Sequence, residues 1–492
     1  MEDPRLLRGR GRYVGDVVLP RMLSLAFVRS PHAHADIRLV DARAALALDG
    51  VVAVFTATEL RQVARPLVPR LESAGFTPTA WPPLADGVAR FCGEAVAAVV
   101  AESAYVAADA RELVAVAYAP RPVVASLDAA LAANRILFRR DYVNGDVDGA
   151  FANAAIVVRE TFEHGRCAAS PIEPRGVVAD WDGETLTVWA STQTPSIMRA
   201  ALARALDLQE TRVRVLAPDV GGGFGLKMHV FPEDVALAAI ARLTGRPVKW
   251  VEERRENLAA ASQARAQRME VEAAAAADGA LLGLRARAIS DGGAYHVYPI
   301  TGALEPLGSA SILPGPYQTP VYAYEAVTVA TNKPPLGAYR GVGMTMGAFV
   351  MERVLDLVAE RVGIDPAEVR RRNLIPREAY PFTSASGLTY DSGDFPKALE
   401  QVLAAARYDD LRSQQQAARA AGRLVGIGLA CYTEYTGMGA DVFRQRGMAD
   451  VPGIEAATVT MDPDGTVRCL VSFPSQGQGH ATTIAQLVAD RL

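Results

Sequence analysis

The sequence predicts a mixed α+β protein, in which a small α/β front domain is followed by two mixed α+β domains, the last of them incomplete. Three observations support this prediction. Strand-like and helix-like segments alternate along the chain, its 492 residues exceed the size of one ordinary domain, and it ends at Leu492 inside a helix-like stretch. Half of the residues are hydrophobic, so the chain can bury large cores.

The front domain is expected to cover residues 1–120. Segments 23–30 and 95–102 are rich in Val, Ala and Leu and predict strands, whereas residues 104–118 carry apolar side chains at helical spacing. The following stretch, 121–144, has weaker periodicity and contains proline, so we interpret it as a linker.

A second domain is expected over residues 145–381 and the start of a third over residues 396–492. Gly245 ends one predicted helix, and Asp365 is placed as the N-cap of another. In the third domain, residues 462–465 predict the turn of a β-hairpin. The clearest strand predictions are 186–192, 211–218 and 325–332, and the clearest helix predictions are 233–245 and 346–363.

Charge and cysteine usage exclude several classes of function. The net charge is −4, which makes nucleic acid a poor hypothesis for the partner. The four cysteines form no CxxC pair, which argues against an iron–sulfur or zinc site and predicts buried free thiols in a reducing compartment. The sequence has no apolar run of about 18 residues and no Sec-type leader, so we expect no membrane span and a cytoplasmic location.

The segment GGGFGLK (221–227) lies between a predicted strand and a predicted helix. Adjacent glycines allow a close approach of the backbone to a ligand, and N–H groups near a helix start can hold an anion. A simple tight turn explains the composition equally well. A Walker loop is excluded because Leu226 separates Gly225 from Lys227, and the dinucleotide motif GxGxxG lacks its third glycine.

Three further polar segments could bind a ligand. Arg340 precedes Gly341, which suits an exposed guanidinium aimed at a phosphate or an oxyanion, although an ordinary surface arginine gives the same pattern. Arg370–Arg372 end a predicted short helix, where the helix dipole is a sufficient structural reason for cations. The segment SQGQGH (475–480) offers side-chain and backbone donors, useful for a polar cofactor but equally for a turn.

The histidines do not predict a metal centre. His32 and His34 could face the same way on a strand, but no third ligand stands nearby in the sequence. We interpret His164, His229 and His480 as structural residues.

The order and spacing of the motifs are more specific than any single one. Together they resemble the molybdopterin-binding subunits of the xanthine dehydrogenase, aldehyde oxidase and carbon monoxide dehydrogenase family, and the resemblance covers essentially the whole chain. The segments that carry it are GRGRYVGDV, RSPHAHADI, CGEAVAAVVAE, GDVDGAF, SPIEPRGVVA, Thr192-Gln193, GGGFGLK, GRPVKW, AYRGVG, GIDPAEVRRRNL and GQGH.

The resemblance implies a front domain of the α/β hammerhead type followed by molybdenum-cofactor-binding domains. It implies molybdenum on a pyranopterin, in bacteria usually as molybdopterin cytosine dinucleotide, with no side chain ligating the metal. It also implies hydroxylation of an aldehyde or an N-heterocycle with oxygen from water. Electrons would leave through a partner subunit that binds FAD and another that carries [2Fe-2S] clusters.

Site residues are carried over by motif position. Gln193 and the Gly225 N–H would hydrogen-bond oxo ligands of molybdenum, although Gln193 could simply cap a turn, and Arg340 would line the substrate side. Arg372 or its neighbours would bind the pterin and its phosphates. The complete set of cofactor-binding candidates is Gln193, Gly223, Phe224, Gly225, Arg340, Arg372, Gln476, Gly477 and Gln478.

The sequence departs from the family pattern at three points. Met228 replaces the glutamate of purine-oxidising members, and Gly341 replaces the cysteine of members that oxidise carbon monoxide. The family's catalytic base, a glutamate near the C-terminus of a longer chain, has no counterpart here. Two hypotheses therefore stay open: an enzyme subunit, or a non-catalytic or split-gene fragment that a second chain completes.

Overall fold

The computed structural model describes residues 2–299, 302–451, 453 and 455–492. Short strands and short helices alternate in the first quarter of the chain. They are α1 (Asp3–Leu6), β1 (Leu23–Arg29), β2 (Ala35–Asp41), α2 (Arg43–Leu46), β3 (Val51–Thr56), α3 (Ala57–Leu60), β4 (Val88–Ala89), β5 (Ala95–Ala101), α4 (Ala104–Leu113) and β6 (Ala115–Pro120).

Longer elements follow in the middle of the chain. They are α5 (Leu127–Ala132), β7 (Ile136–Asn144), α6 (Val147–Ala152), β8 (Ile156–Cys167), β9 (Gly176–Trp181), β10 (Leu186–Ala190), α7 (Pro195–Ala205), β11 (Val213–Leu216), α8 (Pro232–Thr244), β12 (Val248–Val251), α9 (Arg254–Ala260), β13 (Ala264–Ala275), β14 (Leu281–Asp291), α10 (Leu304–Ile312), β15 (Val321–Val329), α11 (Met344–Val362) and α12 (Pro366–Asn373).

The last part of the chain has shorter strands. Its elements are β16 (Phe382–Thr383), β17 (Thr389–Tyr390), α13 (Phe395–Ala406), α14 (Tyr408–Ala420), α15 (Ala440–Gln445), β18 (Ala457–Met461), β19 (Val467–Val471) and α16 (His480–Ala489). Single turns of 3₁₀ helix lie at Val14–Asp16, Glu210–Arg212, Leu226–Met228 and Arg377–Ala379.

A seven-stranded sheet joins the front of the chain to its middle, in the order β11-β10-β9-β12-β1-β5-β3. The two parts meet in the parallel pair β1–β12, where Leu23 lies opposite Val248. Helices α7 and α8 contribute to the same apolar core, which includes Phe27, Leu202 and Leu237. The front domain and the glycine segment therefore rest on one continuous sheet.

A second sheet has five strands in the order β7-β15-β14-β13-β8. Helices α10 and α11 share its apolar core, in which Leu284, Tyr322 and Val354 are fully buried. Charged side chains such as Arg159 and Glu272 pair on exposed parts of β8 and β13, as expected for a sheet with one solvated face. Mixed α+β architecture is thus confirmed.

Two sequence predictions are wrong. The helix predicted over 104–118 ends at Leu113, and the next residues form β6, which pairs with β2. Valine and tyrosine alternate with alanine there, which suits a half-buried strand better than a helix. The presumed linker, 121–144, contains α5 and β7, and β7 pairs with β15 at the edge of the second sheet. Edge strands with an exposed face give weak hydrophobic patterns.

Other predicted elements are confirmed. Helix α8 ends at Gly245, which has a φ of +59°, in the left-handed region that glycine adopts at helix ends. The Asp365 side chain accepts a hydrogen bond of 2.7 Å from the Ala367 N–H and so caps α12. The hairpin turn is closed by a 2.9 Å bond from the Gly465 N–H to the Asp462 carbonyl.

The last part of the chain adds to both cores. Leu399 and Leu403 of α13 pack into the second core, whereas Met448 and Val451 pack into the first. The cysteines are free, as expected, but none is fully buried: Cys92 is exposed and Cys167, Cys431 and Cys469 are partly exposed. Within the described residues, no helix combines the length and the apolar character needed to cross a bilayer.

Candidate functional site

The glycine loop, residues 221–225, connects β11 to the 3₁₀ turn before α8. Phe224 and Gly225 have φ angles of +54° and +96°. A Cβ atom on Gly223 would lie 2.5 Å from the Gln193 side chain, and one on Gly225 would lie 2.8 Å from the Ala338 carbonyl oxygen. Only glycine therefore fits at Gly225, where the clash is with backbone, whereas a side chain at Gly223 would displace the Gln193 amide.

Two glutamine side chains meet beside this loop. The Gly225 N–H donates to Gln193 Oε1 at 2.9 Å, and Gln193 Nε2 donates to Gln476 Oε1 at 3.0 Å. Gly477 has a φ of +103°, and the Gln478 side chain accepts a 2.6 Å bond from the Gln476 N–H. Segments almost 300 positions apart in sequence thus meet at one place.

This arrangement changes one expectation. The Gly225 N–H, which we expected to point at a cofactor, donates to Gln193 instead. Gln193 Nε2 carries two hydrogens, and one of them is used by Gln476. The second hydrogen of Gln193 Nε2 has no partner among the described residues, so it is available to donate a hydrogen bond to a ligand.

The arginine loop, residues 337–343, lies against the glycine loop. The Arg340 N–H donates to the Phe224 carbonyl at 3.0 Å, and the Ala338 N–H donates to His229 Nε2 at 2.8 Å. The Arg340 side chain is exposed. Among the described residues it has no ion-pair or hydrogen-bond partner. The Phe224 side chain beside it is 42% exposed, so an aromatic ring and a free guanidinium border the same surface.

A buried ion pair supports the glycine loop from behind. Lys227 Nζ lies 2.9 Å from Glu173 Oε2 and is fully buried. The same oxygen accepts bonds from Ser191 Oγ at 2.6 Å and the Gly221 N–H at 2.7 Å. Burial lowers the pKa of Lys227, and Glu173 opposes that effect. This lysine is therefore structural, and sequence reasoning missed Glu173 although it lies in the quoted motif SPIEPRGVVA.

The rings of His229, His34 and His32 make contacts within the protein. Burial lowers the pKa of His229 to about 3, so its ring is neutral and can accept the bond from the arginine loop. His34 Nδ1 lies 2.7 Å from the Pro122 carbonyl, and the His32 ring packs against Tyr118. No group of three or more His, Cys, Asp or Glu in the described residues is arranged to hold a metal ion.

The structure does not bring Arg372 to this group. Its guanidinium pairs with Glu368 at 2.9 Å and contacts the Asp278 carbonyl in the β13–β14 turn. The arginine loop instead contacts Arg265 at the opposite end of β13, and a strand of that length spans about 35 Å. The expectation that Arg372 belongs to the same site is therefore corrected.

Arg370 and Arg371, the two arginines before Arg372, also form ion pairs within the protein. Arg370 is fully buried and lies 2.8 Å from Glu352, while Arg371 lies 2.6 Å from Glu400. The cations of this helix end are thus paired with carboxylates, whereas the structural explanation offered from the sequence was the helix dipole.

The N-terminal segment contacts the residues that flank the glycine loop and the segment 475–480, which the sequence did not predict. Arg5 forms two bonds of 2.5 and 2.7 Å with Asp219, two residues before the glycine loop. Glu2 accepts bonds from the Ala481 N–H and from Thr482 Oγ1 at the start of α16. The first residues of the chain thus lie beside the segments that carry Gly225 and Gln476.

Comparisons with known proteins agree with this geometry. Residues 130–374 match the model of a molybdopterin cofactor-binding domain, and residues 401–492 match a second one. Residues 8–122 match the a/b hammerhead domain of aldehyde oxidase and xanthine dehydrogenase. The nicotinate dehydrogenase large molybdopterin subunit of Eubacterium barkeri is 30% identical over 74% of this chain and 85% of that protein. The chain belongs to the molybdopterin-binding large subunits of the molybdenum hydroxylases.

Two further members of this family are more similar. The nicotine 6-hydroxylase large subunit of Paenarthrobacter nicotinovorans is 39% identical over the whole chain and 61% of that protein. The crystal structure of quinoline 2-oxidoreductase from Pseudomonas putida 86 matches 99% of this chain with a TM-score of 0.95 and 39% identity. The chain spans 64% of that protein's length.

The residues in the site fit the molybdopterin cofactor of this family. Such a cofactor carries its own sulfur and oxygen ligands for the metal, so the protein must supply hydrogen-bond donors and a backbone that approaches closely. Gly225 leaves no room for a Cβ atom beside the Ala338 carbonyl, and within the described part of the chain Gln193 has one N–H without a partner. The exposed Arg340 adds a positive charge at the same surface.

Proposed function

We propose that the chain binds molybdopterin, in its cytosine dinucleotide form, between the glycine loop and residues 476–478, and serves an enzyme that hydroxylates aromatic N-heterocycles. The observation that carries the proposal is the hydrogen-bond chain from the Gly225 N–H through Gln193 to Gln476. It joins the two segments that the family resemblance assigns to the cofactor.

Some residues of the site would bind the cofactor and others would contact the substrate. Gly223 and Gly225 allow close approach of the cofactor, and the free N–H of Gln193 donates a hydrogen bond to it. Phe224 presents an aromatic surface against which a planar ring can stack. Arg340 places a guanidinium where negative charge develops on a ring nitrogen or carbonyl oxygen, which favours the transition state. The bound cofactor would supply the two-electron oxidation, with oxygen from water.

The substrate class rests on departures and on relatives. Met228 and Gly341 stand where purine-oxidising and carbon monoxide-oxidising members carry glutamate and cysteine. Gly341 has a φ of +78°, a conformation that cysteine adopts at a cost. Nicotine, nicotinate and quinoline, named for three similar proteins, all contain an aromatic ring nitrogen. Aldehydes are the second candidate class.

The complete enzyme would need more than these residues. We propose partner subunits that carry FAD and [2Fe-2S] clusters and a glutamate base outside the present sequence. Glu173 and Glu305, two glutamates that contact the loops or their supports, are already bonded to Lys227 and Arg265. A polypeptide of these 492 residues alone is therefore expected to be inactive.

The test is to purify the complex with its partner subunits, measure molybdenum per chain, and assay turnover with an artificial electron acceptor. Quinoline and nicotinate should be oxidised faster than benzaldehyde, hypoxanthine and carbon monoxide. Faster oxidation of benzaldehyde would move the substrate to the second class. Absence of molybdenum with all subunits present would overturn the proposal and favour a non-catalytic module.

A further inference from the structure

Arg265, outside the motifs of the sequence analysis, is bonded directly to the arginine loop. It lies at the start of β13 and is 6% exposed. Its Nη2 donates to the Arg340 carbonyl at 2.6 Å, and its Nη1 donates to the Gly341 carbonyl at 3.0 Å, with the Tyr339 carbonyl at 3.4 Å. One guanidinium therefore contacts three successive carbonyls around Arg340.

Glu305, at the start of α10, completes this arrangement. Its Oε1 accepts a 3.2 Å bond from the Arg265 backbone N–H and lies 3.5 Å from Arg265 Nη1. Helix α10 also touches the loop through its backbone, because a Cβ atom on Gly343 would lie 2.7 Å from the Glu305 carbonyl oxygen. The carboxyl group that pairs with Arg265 thus belongs to an element packed against the same loop.

The backbone at Arg265 is in an unfavourable conformation. Arg265 and Ala266 have φ angles of +70° and +45°, in the left-handed region that residues with a side chain rarely adopt. Such strain persists where the surroundings fix it, and it is common at functional sites. Here it coincides with the residue whose side chain enters the arginine loop.

We propose that Arg265, paired with Glu305, is a positioning residue that fixes the arginine loop so that the Arg340 side chain faces the cofactor surface. The inference rests on the proposed function of Arg340. Arg265 would touch neither cofactor nor substrate, and it would act through the backbone of residues 339–341. A guanidinium can bond several carbonyls at once in a fixed plane, whereas an ammonium group cannot reproduce this geometry.

The test uses the purified complex with Arg265→Lys, which keeps the charge, and Glu305→Gln, which keeps an acceptor for the Arg265 N–H. Arg268→Lys is the control, since Arg268 lies on the same strand but pairs with Asp128 and Glu163 at the surface. For Arg265→Lys we expect kcat to fall roughly 10- to 100-fold, with unchanged molybdenum content and faster hydrogen exchange confined to residues 337–343. Glu305→Gln should also lower kcat and speed hydrogen exchange at residues 337–343. The control Arg268→Lys should change neither kcat nor this hydrogen exchange.

A double-mutant cycle separates positioning from general damage. If Arg265 acts through Arg340, Arg265→Lys should cause no further loss of kcat in an Arg340→Lys background. Multiplicative losses, or normal hydrogen exchange at residues 337–343 in Arg265→Lys, would overturn the inference. If Arg340→Lys alone leaves kcat unchanged, the proposed role of Arg340 fails, and the exchange data still decide whether Arg265 fixes the loop.

Discussion

Two arginine clusters, the arginine loop with Arg340 and the helix end with Arg370–Arg372, are both candidate ligand-binding segments in the sequence and differ in the structure. Arg340 is exposed and makes no ion pair within the described residues, and its main chain is held by Phe224 and Arg265. Arg370–Arg372 are each paired with a carboxylate of α11, α12 or α13. The difference is that Arg340, the proposed ligand-binding arginine, combines a fixed backbone with a guanidinium that has no partner among the described residues. Clustering of positive charge alone does not identify a ligand-binding arginine.

We expect the largest difference between the two regions in molybdenum content, when a glycine beside Arg340 or one near Arg372 is replaced by alanine. Gly225→Ala places a Cβ atom 2.8 Å from the Ala338 carbonyl at a φ of +96°, so we expect molybdenum per chain to fall more than about tenfold. Gly279→Ala is the matched control in the β13–β14 turn near Arg372. It has a φ of +90° but its nearest contact is 3.4 Å away. Metal analysis of the purified complexes compares them, and equal molybdenum contents would restore the simple-turn interpretation.

Substitutions at Arg370–Arg372 should lower the free energy of unfolding and leave cofactor content unchanged. Arg370→Met leaves Glu352 buried without its cation, and loss of one partner of a buried pair costs about 3–5 kcal/mol. Arg371→Met breaks an exposed pair with Glu400, worth no more than about 1 kcal/mol. Thermal unfolding of both variants measures the contrast. A stable Arg370→Met protein that loses molybdenum would return this helix to the list of cofactor-binding segments.

Local patterns in the sequence predicted the parts of the molecule that local interactions determine. The Asp365 cap and helix α11 depend on residues a few positions apart, so composition and spacing were sufficient. The helix predicted over 104–118 failed at its end because β6 pairs with β2, about 80 residues earlier in the chain. Long-range pairing outweighs a short local pattern.

The supporting residues of the site could not be found in this way. Glu173, His229 and Arg265 contact loops that lie 48, 109 and 75 positions away in sequence. Their types and neighbours resemble those of ordinary surface or core residues. The family resemblance named groups that face the cofactor, whereas these three act behind the loops and emerge only from the packing.

A conservative substitution should distinguish the two clusters in catalysis. Arg340→Lys keeps the charge but loses the planar fork, so kcat should fall more than about tenfold with molybdenum retained. Arg372→Lys can still pair with Glu368 at the surface and should leave kcat unchanged. Steady-state assays at saturating substrate measure both. Loss of molybdenum from Arg340→Lys would instead show that this residue holds the cofactor.

The smallest effect concerns the glutamates on which the two clusters rest. Burial raises the pKa of Glu305 to about 7, although Arg265 opposes the shift, and burial likewise raises the pKa of Glu352 despite Arg370. A raised pKa means that the folded protein holds the proton more tightly than the unfolded chain. The contribution of Glu305 to stability is therefore fully present below its ordinary range near 4.5 and is lost as the pH rises through 7.

Glu305→Gln removes this titration and provides the measurement. The free energy of unfolding of the wild type, relative to Glu305→Gln, should decrease by about 1 kcal/mol between pH 6 and pH 7. Glu368→Gln, which changes an exposed pair on α12, should give a curve parallel to that of the wild type. If the Glu305→Gln curve is also parallel, Glu305 is ionised throughout this range. The arginine loop would then rest on an Arg265–Glu305 ion pair that persists from pH 6 to pH 7. It would still differ from α12 because the Arg340 guanidinium has no partner within the described residues, whereas Arg370 is paired with Glu352.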